Sequence, residues 1–362
     1  EFAADHTPAV EHSFGEWYTT REHTDTEDGE QRRKCASCDL FEVRTVVAHT
    51  SPELDSEGTI GFGEVTWTFT PDGVLNFEGS GSLWGTAQFQ DSDQIRTVII
   101  GEGITEIDGP LFAGCSRLDS VILPESLTEI GQQAFYNCTA LSSVVLPDGL
   151  CRIGTLAFAG SGLCRIDIPG SVRTIDKAAF QGCNDLTSAT IPLGVTEIGE
   201  YTFEGCSALK SLRLSEGITA IGDFAFGGCA SLQEVTLLDS VITLGVDAFA
   251  ECASLQSLKL SENLKSIGYG AFRECTALTQ VHIPDAVEAV ESETFAGCTN
   301  LKTVTGGTGV KTVYLSSFTD CPCVVVDHQS LTLVHTWVLD CGSLLERITI
   351  PAEITVLARN SF

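Results

Sequence analysis

The sequence predicts a β-rich repeat solenoid, and three observations lead to that fold class. A Phe-x-x-Cys pair recurs about every 23 residues, as in "AFGGC" and then "AFAEC". Between successive pairs lie two short runs of alternating apolar and polar residues, which is typical of short strands. A unit of this length buries too little apolar surface to fold alone, whereas stacked units share buried faces and pair strand to strand.

Two columns of residues define the repeat. Phenylalanine recurs in steps of 23 residues with one step of 22, at positions 112, 135, 158, 180, 203, 226, 249, 272, 295 and 318. Cysteine follows three places later, at 115, 138, 183, 206, 229, 252, 275, 298 and 321, with Ser161 in the short unit. We interpret both columns as internal ladders of packed side chains. A row of metal or redox sites is the alternative, which apolar surroundings disfavour because they hinder ionisation of thiols.

Each unit is expected to contribute two strands of three to four residues, such as 212–214 and 195–198. A glycine often follows the second run, as at Gly199, Gly222 and Gly268. We expect these glycines to adopt positive φ in a turn.

The unit C-x-x-L-x-x-V-x-I-P-x-x-V-x-x-I-G-x-x-A-F-x-G-C resembles the BspA-like leucine-rich repeat family, whose repeats are also called Treponema-type. The resemblance covers residues 94–320 and resumes at "LLERITIPAEITVLARNSF". It implies a right-handed solenoid of leucine-rich repeats over 94–362. The irregular unit 321–343 is similar to a longer strand-rich unit common in this family and contains Cys323 and Cys341.

Two segments precede the repeats. Residues 58–93 alternate apolar and polar side chains around a "PDG" turn, which predicts a β-hairpin. We expect this N-terminal β-hairpin cap to cover the open core and unpaired edge of the first coil. Residues 1–57 form an acidic N-terminal module, with 14 acidic against 5 basic residues.

The acidic module contains the pair Cys35-x-x-Cys38. It resembles a small module of surface proteins from gut anaerobes that carries a His before Phe-Gly-x-Trp, a lone Cys and then Cys-x-x-Cys. Here His12 matches the histidine, and Asp25 stands where the lone Cys is expected. Cys35, Cys38, His12 and Asp25 would supply four ligands for a tetrahedral zinc ion, with His23 or His49 as replacements. A free dithiol or a disulfide is the alternative.

Composition and motifs disfavour several function classes. A net charge of −29 argues against a nucleic-acid partner, since phosphate binding depends on Lys and Arg. No apolar run is long enough to predict a membrane span. No phosphate loop, dinucleotide fingerprint, HExxH or nucleophile elbow is present, so we do not expect an enzyme. Glu106, Glu129 and Glu197 share one repeat position, which predicts a solvated acidic face or, alternatively, a catalytic or calcium surface.

A solenoid offers an extended surface for binding. The outward residue of the first strand reads Ile99, Ile122 and Val145 at the N-terminal end, and the cap is expected to pack on this apolar run unless it is a ligand patch. Further along, the same column reads Arg213, Thr236, Lys259 and His282. We interpret these four as solvated residues or as a binding surface for an anionic partner.

The resemblance implies a bacterial protein that is extracellular or attached to the cell surface, with a role in adhesion. Its partner would be a host matrix protein, another cell-surface protein or an anionic glycan. The second hypothesis is an ancillary metal-binding or redox module acting through Cys35 and Cys38. Because the chain contains no methionine, we do not expect Glu1 to be the start of translation. Cys151 and Cys164 lie off the ladder and are expected to form either a disulfide or two free thiols.

Overall fold

A computed structural model describes residues 57–60, 64–84, 89–314 and 316–321, together with the backbone of strands at 18–21, 29–34, 41–46 and 325–326. The chain divides into two compact units, Glu1–Leu54 and Asp55–Phe362. In the first unit, β1 (Tyr18–Arg21), β2 (Gly29–Lys34) and β3 (Phe41–Val46) form an antiparallel sheet in that order. Lys34 pairs with Phe41, so the Cys-x-x-Cys sequence lies between two paired strands.

The second unit is a solenoid in which successive coils add strands to two parallel rows. Row A consists of β6 (Val74–Gly79), β8 (Thr97–Ile100), β10 (Ser120–Ile122), β14 (Ser188–Thr190), β16 (Ser211–Arg213), β18 (Glu234–Thr236), β20 (Ser257–Lys259), β22 (Gln280–Ile283), β24 (Thr303–Gly306) and β26 (Val325–Val326). Within row A, hydrogen-bonded pairing joins β6 to β8 and β10, β14 to β16, β18 to β20, and β22 to β24 and β26. No α-helix occurs in the described part of the chain.

The strands of row B follow those of row A in sequence, after the chain has turned within the same coil. Row B consists of β7 (Gly81–Trp84), β9 (Ile104–Asp108), β11 (Glu129–Ile130), β12 (Arg152–Ile153), β13 (Thr174–Ile175), β15 (Glu197–Ile198), β17 (Ala220–Ile221), β19 (Thr243–Leu244), β21 (Ser266–Ile267), β23 (Ala289–Val290) and β25 (Thr312–Val313). Pairing keeps one register, so that Ile130 lies beside Ile107 and Ile221 beside Leu244. Equivalent residues of successive repeats therefore stand side by side, as the predicted solenoid of about 23-residue repeats requires.

The segment before the predicted repeats also contains a coil. β4 (Glu57–Ile60), β5 (Val65–Phe69) and β6 form an antiparallel sheet. β6 pairs in parallel with β8, however, and β7 pairs in parallel with β9. Phe89 lies 23 residues before Phe112 and occupies the same ladder position. The inner strand of the hairpin therefore belongs to the first coil as well.

The phenylalanine ladder is the centre of the core. From Phe112 to Phe318, neighbouring rings lie with centroids 5.1–5.7 Å apart and planes within 18° of parallel. Such offset stacks contribute about 0.5–1.5 kcal/mol beyond the burial of their area. At the N-terminal end, Trp67 meets Phe89 edge to face at 5.2 Å and closes the stack. The ladder thus runs continuously from Phe112 to Phe318.

The ladder cysteines are hydrogen-bond donors as well as packing residues. The Sγ of Cys229 donates to the carbonyl oxygen of Phe203 in the preceding coil at 3.3 Å. The same oxygen accepts the backbone N–H of Cys206 at 3.2 Å, so both of its lone pairs are used. Equivalent thiol bonds are made by Cys115, Cys138, Cys183, Cys206, Cys252, Cys275, Cys298 and Cys321. Burial raises the pKa of Cys183 to about 11 and that of Cys115 to about 12. These thiols are therefore neutral structural groups.

The expectation of positive φ at the glycines after row B is wrong. Gly199, Gly222 and Gly268 are absent from the residues with positive φ. A Cβ on Gly222 would lie 2.8 Å from the nitrogen of Glu200, and one on Gly268 would lie 2.4 Å from the carbonyl carbon of Gly245. At Gly222 and Gly268 glycine is needed because adjacent coils approach backbone to backbone, whereas a Cβ on Gly199 would lie 3.4 Å from its nearest atom, the nitrogen of Lys177. Positive φ occurs two residues later instead, at Gln133, Leu156, Ala178, Tyr201, Phe224, Asp247, Gly270 and Glu293.

We predict that Phe226→Ala destabilises the solenoid by about 3–5 kcal/mol, because it leaves a cavity between Phe203 and Phe249. Chemical denaturation followed by circular dichroism measures the loss. Phe224→Ala is the control, since its half-buried ring stacks on Tyr201 alone among the described rings, and the substitution should cost about 1 kcal/mol. A loss below about 1 kcal/mol for Phe226→Ala would contradict a structural role for the ladder.

We predict that native alkylation at pH 8 modifies Cys151 and Cys164 and leaves the nine ladder thiols unmodified. The first two are exposed, whereas burial keeps the ladder thiols protonated. Peptide mapping by mass spectrometry after iodoacetamide treatment reads the outcome, and alkylation in denaturant supplies the control in which all these cysteines react. Equal rates for Cys229 and Cys151 in the native protein would refute the buried ladder.

Candidate binding surface

The outward side chains of row A form a continuous surface on one side of the solenoid. Each coil contributes three of them at fixed repeat positions, as with Lys210, Ser211 and Arg213 around β16, where the half-buried Leu212 separates the last two. We call the outward residues of row A and of the equivalent positions from 96 to 305 the strand face. The four predicted residues Arg213, Thr236, Lys259 and His282 are all exposed in one column of this face. Register pairing places Thr236 directly beside Lys259.

The strand face carries a net positive charge although the protein carries −29. Its six cationic residues outnumber its three anionic ones, Asp119, Asp167 and Glu234, and all nine are exposed. The cationic residues are Arg96, Arg165, Lys210, Arg213, Lys259 and Lys302. Four of them, Arg96, Arg165, Lys210 and Lys302, were missed by the sequence analysis because it followed only one of the three outward columns. The same 23-residue spacing applied to the other two columns finds them.

Of the seven described cations outside the strand face, Arg152, Lys177, Arg273 and Lys311 pair with carboxylates, whereas Arg117, Arg173 and Lys265 do not. On row B, Arg152 contacts Glu129 and Asp176, each at 2.7 Å, and Lys311 contacts Glu288 at 2.7 Å. Beyond row B, Lys177 contacts Glu200 at 2.5 Å. None of the six strand-face cations forms an ion pair with a carboxylate whose side chain is described. Their charges are therefore available to a ligand.

A line of carboxylates borders this face. Where the chain turns from row A towards row B, seven exposed acidic residues share one repeat position, and that position holds no cation between 102 and 308. They are Glu102, Glu125, Asp148, Glu216, Asp239, Glu262 and Asp285. Some of them also bind the next coil, as when Glu102 accepts the backbone N–H of Glu125 at 3.0 Å. The basic strand face therefore lies beside an acidic border.

The apolar run at the N-terminal end of the face stays accessible. Ile99 is half-buried, Ile122 is 52% exposed and Val145 is 84% exposed. The hairpin was expected to pack on this run, but β6 lies beside β8 in the same sheet, with Asn76 opposite Ile99. The described cap residues therefore extend the sheet at its edge instead of covering its face.

The predicted row B glutamates and two of the cysteines outside the ladder lie in the described part of the chain. Glu106 and Glu129 lie side by side on row B, where Glu129 binds Arg152. Cys151 and Cys164 are exposed free thiols in separate parts of the coil, next to row B and row A respectively. His12, Asp25, Cys35 and Cys38 lie outside the described residues, as do Cys323 and Cys341.

Among side chains with a described position, no three His, Cys, Asp or Glu residues gather closely enough to hold a metal ion. None of the described segments forms a helix that is both long and apolar enough to cross a bilayer.

Comparison with solved structures finds bacterial leucine-rich repeat proteins. A leucine-rich repeat protein from Eubacterium ventriosum is 22% identical, with 83% of this chain and 92% of that one covered and a TM-score of 0.46. One from Bacteroides ovatus is 23% identical, with coverage of 71% and 91% and a TM-score of 0.40. A leucine-rich cell surface protein from Faecalibacterium prausnitzii is 22% identical, with coverage of 75% and 94% and a TM-score of 0.35. No match was found among curated proteins.

The family model of the BspA type leucine-rich repeat region matches the chain in six copies, over residues 83–210, 196–325 and 265–362. These ranges include the coil of β7 and Phe89 as well as every later coil described above. The chain therefore belongs to the family of BspA-type leucine-rich repeat proteins.

Proposed function

We propose that this protein binds an anionic partner through its strand face. The observation that supports this most strongly is the set of six exposed cations without ion pairs on one face of a protein of net charge −29. The cations with carboxylate partners, Arg152, Lys177, Arg273 and Lys311, all lie off this face. Their concentration on the flat outward surface of parallel strands favours a ligand over internal pairing.

The spacing of the charges favours an extended ligand. Neighbouring strands of a sheet lie about 4.8 Å apart, so Arg213 and Lys259, two coils apart, are separated by about 10 Å. Single exposed ion pairs contribute only about 0.2–1 kcal/mol, and several must act together for useful affinity. A sulfated or sialylated glycan, or an acidic stretch of a host matrix protein or another cell-surface protein, offers repeated negative charges of this kind.

We propose an extracellular or cell-surface location for this binding. Its support is the bacterial repeat family and the similarity to a structure described as a cell surface protein. We also propose a binding role without catalysis, because the features that distinguish the strand face are charge and extent. Host or cell-cell adhesion is the role that such a surface would serve.

We predict that Arg213→Glu together with Lys259→Glu weakens binding to immobilised fibrinogen, fibronectin, mucin or a sulfated or sialylated glycan by about tenfold or more, because attraction becomes repulsion at two central sites. Surface plasmon resonance at low and physiological salt measures the change. Binding of the unaltered protein should weaken as salt rises, since exposed charges are screened.

The matched control is Lys177→Glu together with Lys311→Glu, which changes the net charge equally but removes cations that already pair with Glu200 and Glu288. This variant should bind within about threefold of the unaltered protein, because its strand face is intact and the change in net charge alone has a small effect on affinity. Equal losses in both variants would attribute binding to net charge alone. Undiminished binding by the strand-face variant would reject the strand face as the site.

The second candidate function is metal binding or redox chemistry in the acidic N-terminal module. Its support is the Cys35-x-x-Cys38 sequence between two paired strands, with His12 and Asp25 as further zinc ligands. Closely spaced thiolates at a strand connection are a common half of a structural zinc site. Thiolates also bind metal more tightly as pH rises, because they must lose their protons first.

We predict about one zinc per chain for this candidate, lost in Cys35→Ser and retained in Cys151→Ser. The two substitutions remove one cysteine each, but only the first belongs to the proposed ligand set. Elemental analysis after dialysis, supported by thiol titration, gives the stoichiometry. Absence of zinc, or equal zinc in both variants, would eliminate the metal site and leave the dithiol or disulfide.

A further inference from the structure

A second surface feature lies away from the strand face, on the turns that follow row B. A groove of about 400 Å³ lies there, lined by residues of five successive coils. Its walls include Gln181, Glu204, Phe224, Glu251 and Arg273, and its lining is mainly apolar. Sites for small ligands typically occupy about 300–1,000 Å³ and combine apolar surface with a few polar groups. The groove meets that description and shares no residue with the strand face.

The floor of the groove is open because three successive coils carry glycine at one position. Gly182, Gly205 and Gly228 have φ of 68°, 71° and 71°. Glycine is not obligatory at this position, since Asn137 and Glu251 hold φ of 55° and 60° in other coils. A Cβ would find no heavy atom closer than 3.8 Å at Gly182, 3.7 Å at Gly205 and 3.5 Å at Gly228. Side chains would fit there, and their absence leaves the groove open.

The polar groups of the groove include both donors and acceptors. Glu204 accepts a hydrogen bond of 2.5 Å from the Gln181 amide. Arg273 lies 3.3 Å from the buried carboxylate of Asp247 and 3.6 Å from Glu251, so its charge is largely balanced. Glu251 keeps 61% of its side chain exposed. The lining of the groove thus includes carboxylate acceptors and one guanidinium beside its apolar surface.

The groove also has an aromatic side. The rings of Phe224 and Tyr201 stack with centroids 5.1 Å apart and planes 4° from parallel, and both are half-buried. Phe224 contributes to the groove wall. An aromatic ring offers a firm apolar surface to the C–H groups of a ligand at little cost in side-chain entropy.

This combination discriminates between classes of ligand. An anion would approach the carboxylates of Glu204 and Glu251 and is repelled. A cation would find each of these carboxylates already partnered, Glu204 by the Gln181 amide and Glu251 by Arg273. A wholly apolar ligand would remove the carboxylates from water without replacing their hydrogen bonds. A neutral sugar ring has hydroxyl groups that donate and accept around its edge and C–H groups on its faces. We propose that this groove is a binding site for a neutral carbohydrate, independent of the strand face.

The test is isothermal titration calorimetry of the full chain with neutral hexasaccharides of glucose, mannose, xylose and N-acetylglucosamine. We expect saturable binding of at least one of them. Gly228→Asn should weaken it about tenfold by filling the floor with a side chain that Asn137 already carries at the same position. Glu204→Gln should weaken it about threefold or more by replacing a charged acceptor.

Two variants serve as controls. Gly297→Asn makes the same change at the same repeat position outside the groove, next to the end of the flexible Glu274 side chain, and should leave binding unchanged. Arg213→Glu with Lys259→Glu should also leave it unchanged, which separates this proposal from the strand face. Thermal unfolding of every variant establishes that the fold is retained.

Several outcomes would overturn the proposal. These are the absence of binding by all four hexasaccharides at millimolar concentration, and binding that is equal in the unaltered protein, Gly228→Asn and Glu204→Gln. Binding of a heparin hexasaccharide or a hexalysine peptide that is lost in Gly228→Asn, without neutral binding, would show that the groove takes a charged ligand instead.

Discussion

The stacking of phenylalanine rings between coils is the interaction on which this structure depends. Each ring is packed between the rings of the coils before and after it, and each ladder cysteine donates a hydrogen bond from its thiol to the phenylalanine carbonyl of the preceding coil. Ring and thiol therefore set the same register twice, once by packing and once by hydrogen bonding. A coil cannot slip relative to its neighbour without losing both.

This register determines what the surface can do. Because equivalent positions stand side by side, a few substitutions in outward columns create long uniform surfaces without affecting the core. Row A uses this to collect unpaired cations, while the position after it collects carboxylates and the positions around Gly205 lack side chains. The buried core is thus nearly the same in every coil, whereas the outward columns differ in charge and side-chain size. The proposed anionic partner and the proposed neutral carbohydrate would use two of these faces.

Much of the scaffold follows from the sequence, since the spacing of Phe226 and Cys229 predicts the coil and its buried columns. Other features depend on contacts between coils that no single unit shows. The sequence suggests positive φ at Gly222, but the structure shows that glycine is needed there because the neighbouring backbone lies close. Both constraints select glycine, so the residue type alone does not distinguish them. The ladder position of Phe89 is not predictable from the repeat pattern, because its coil lacks the usual flanking residues and shares a strand with the hairpin.

The candidate surface was only partly predictable for the same reason. One column, with Arg213 and Lys259, is visible in the sequence, but whether these cations pair with nearby carboxylates depends on the positions of side chains in adjacent coils. The groove is still harder to predict, since it is made by missing side chains at Gly205 and Gly228 and by Phe224 and Glu251 from different coils. Its position requires the three-dimensional arrangement.

Hydrogen–deuterium exchange of the protein with and without a bound sulfated octasaccharide tests the central claim, a strand face that binds anions, most directly. The strand face predicts protection in row A peptides around 210–214 and 256–260, with row B peptides around 243–244 unchanged. Protection confined to row B or to the turns after it, with row A unaffected, would contradict the claim.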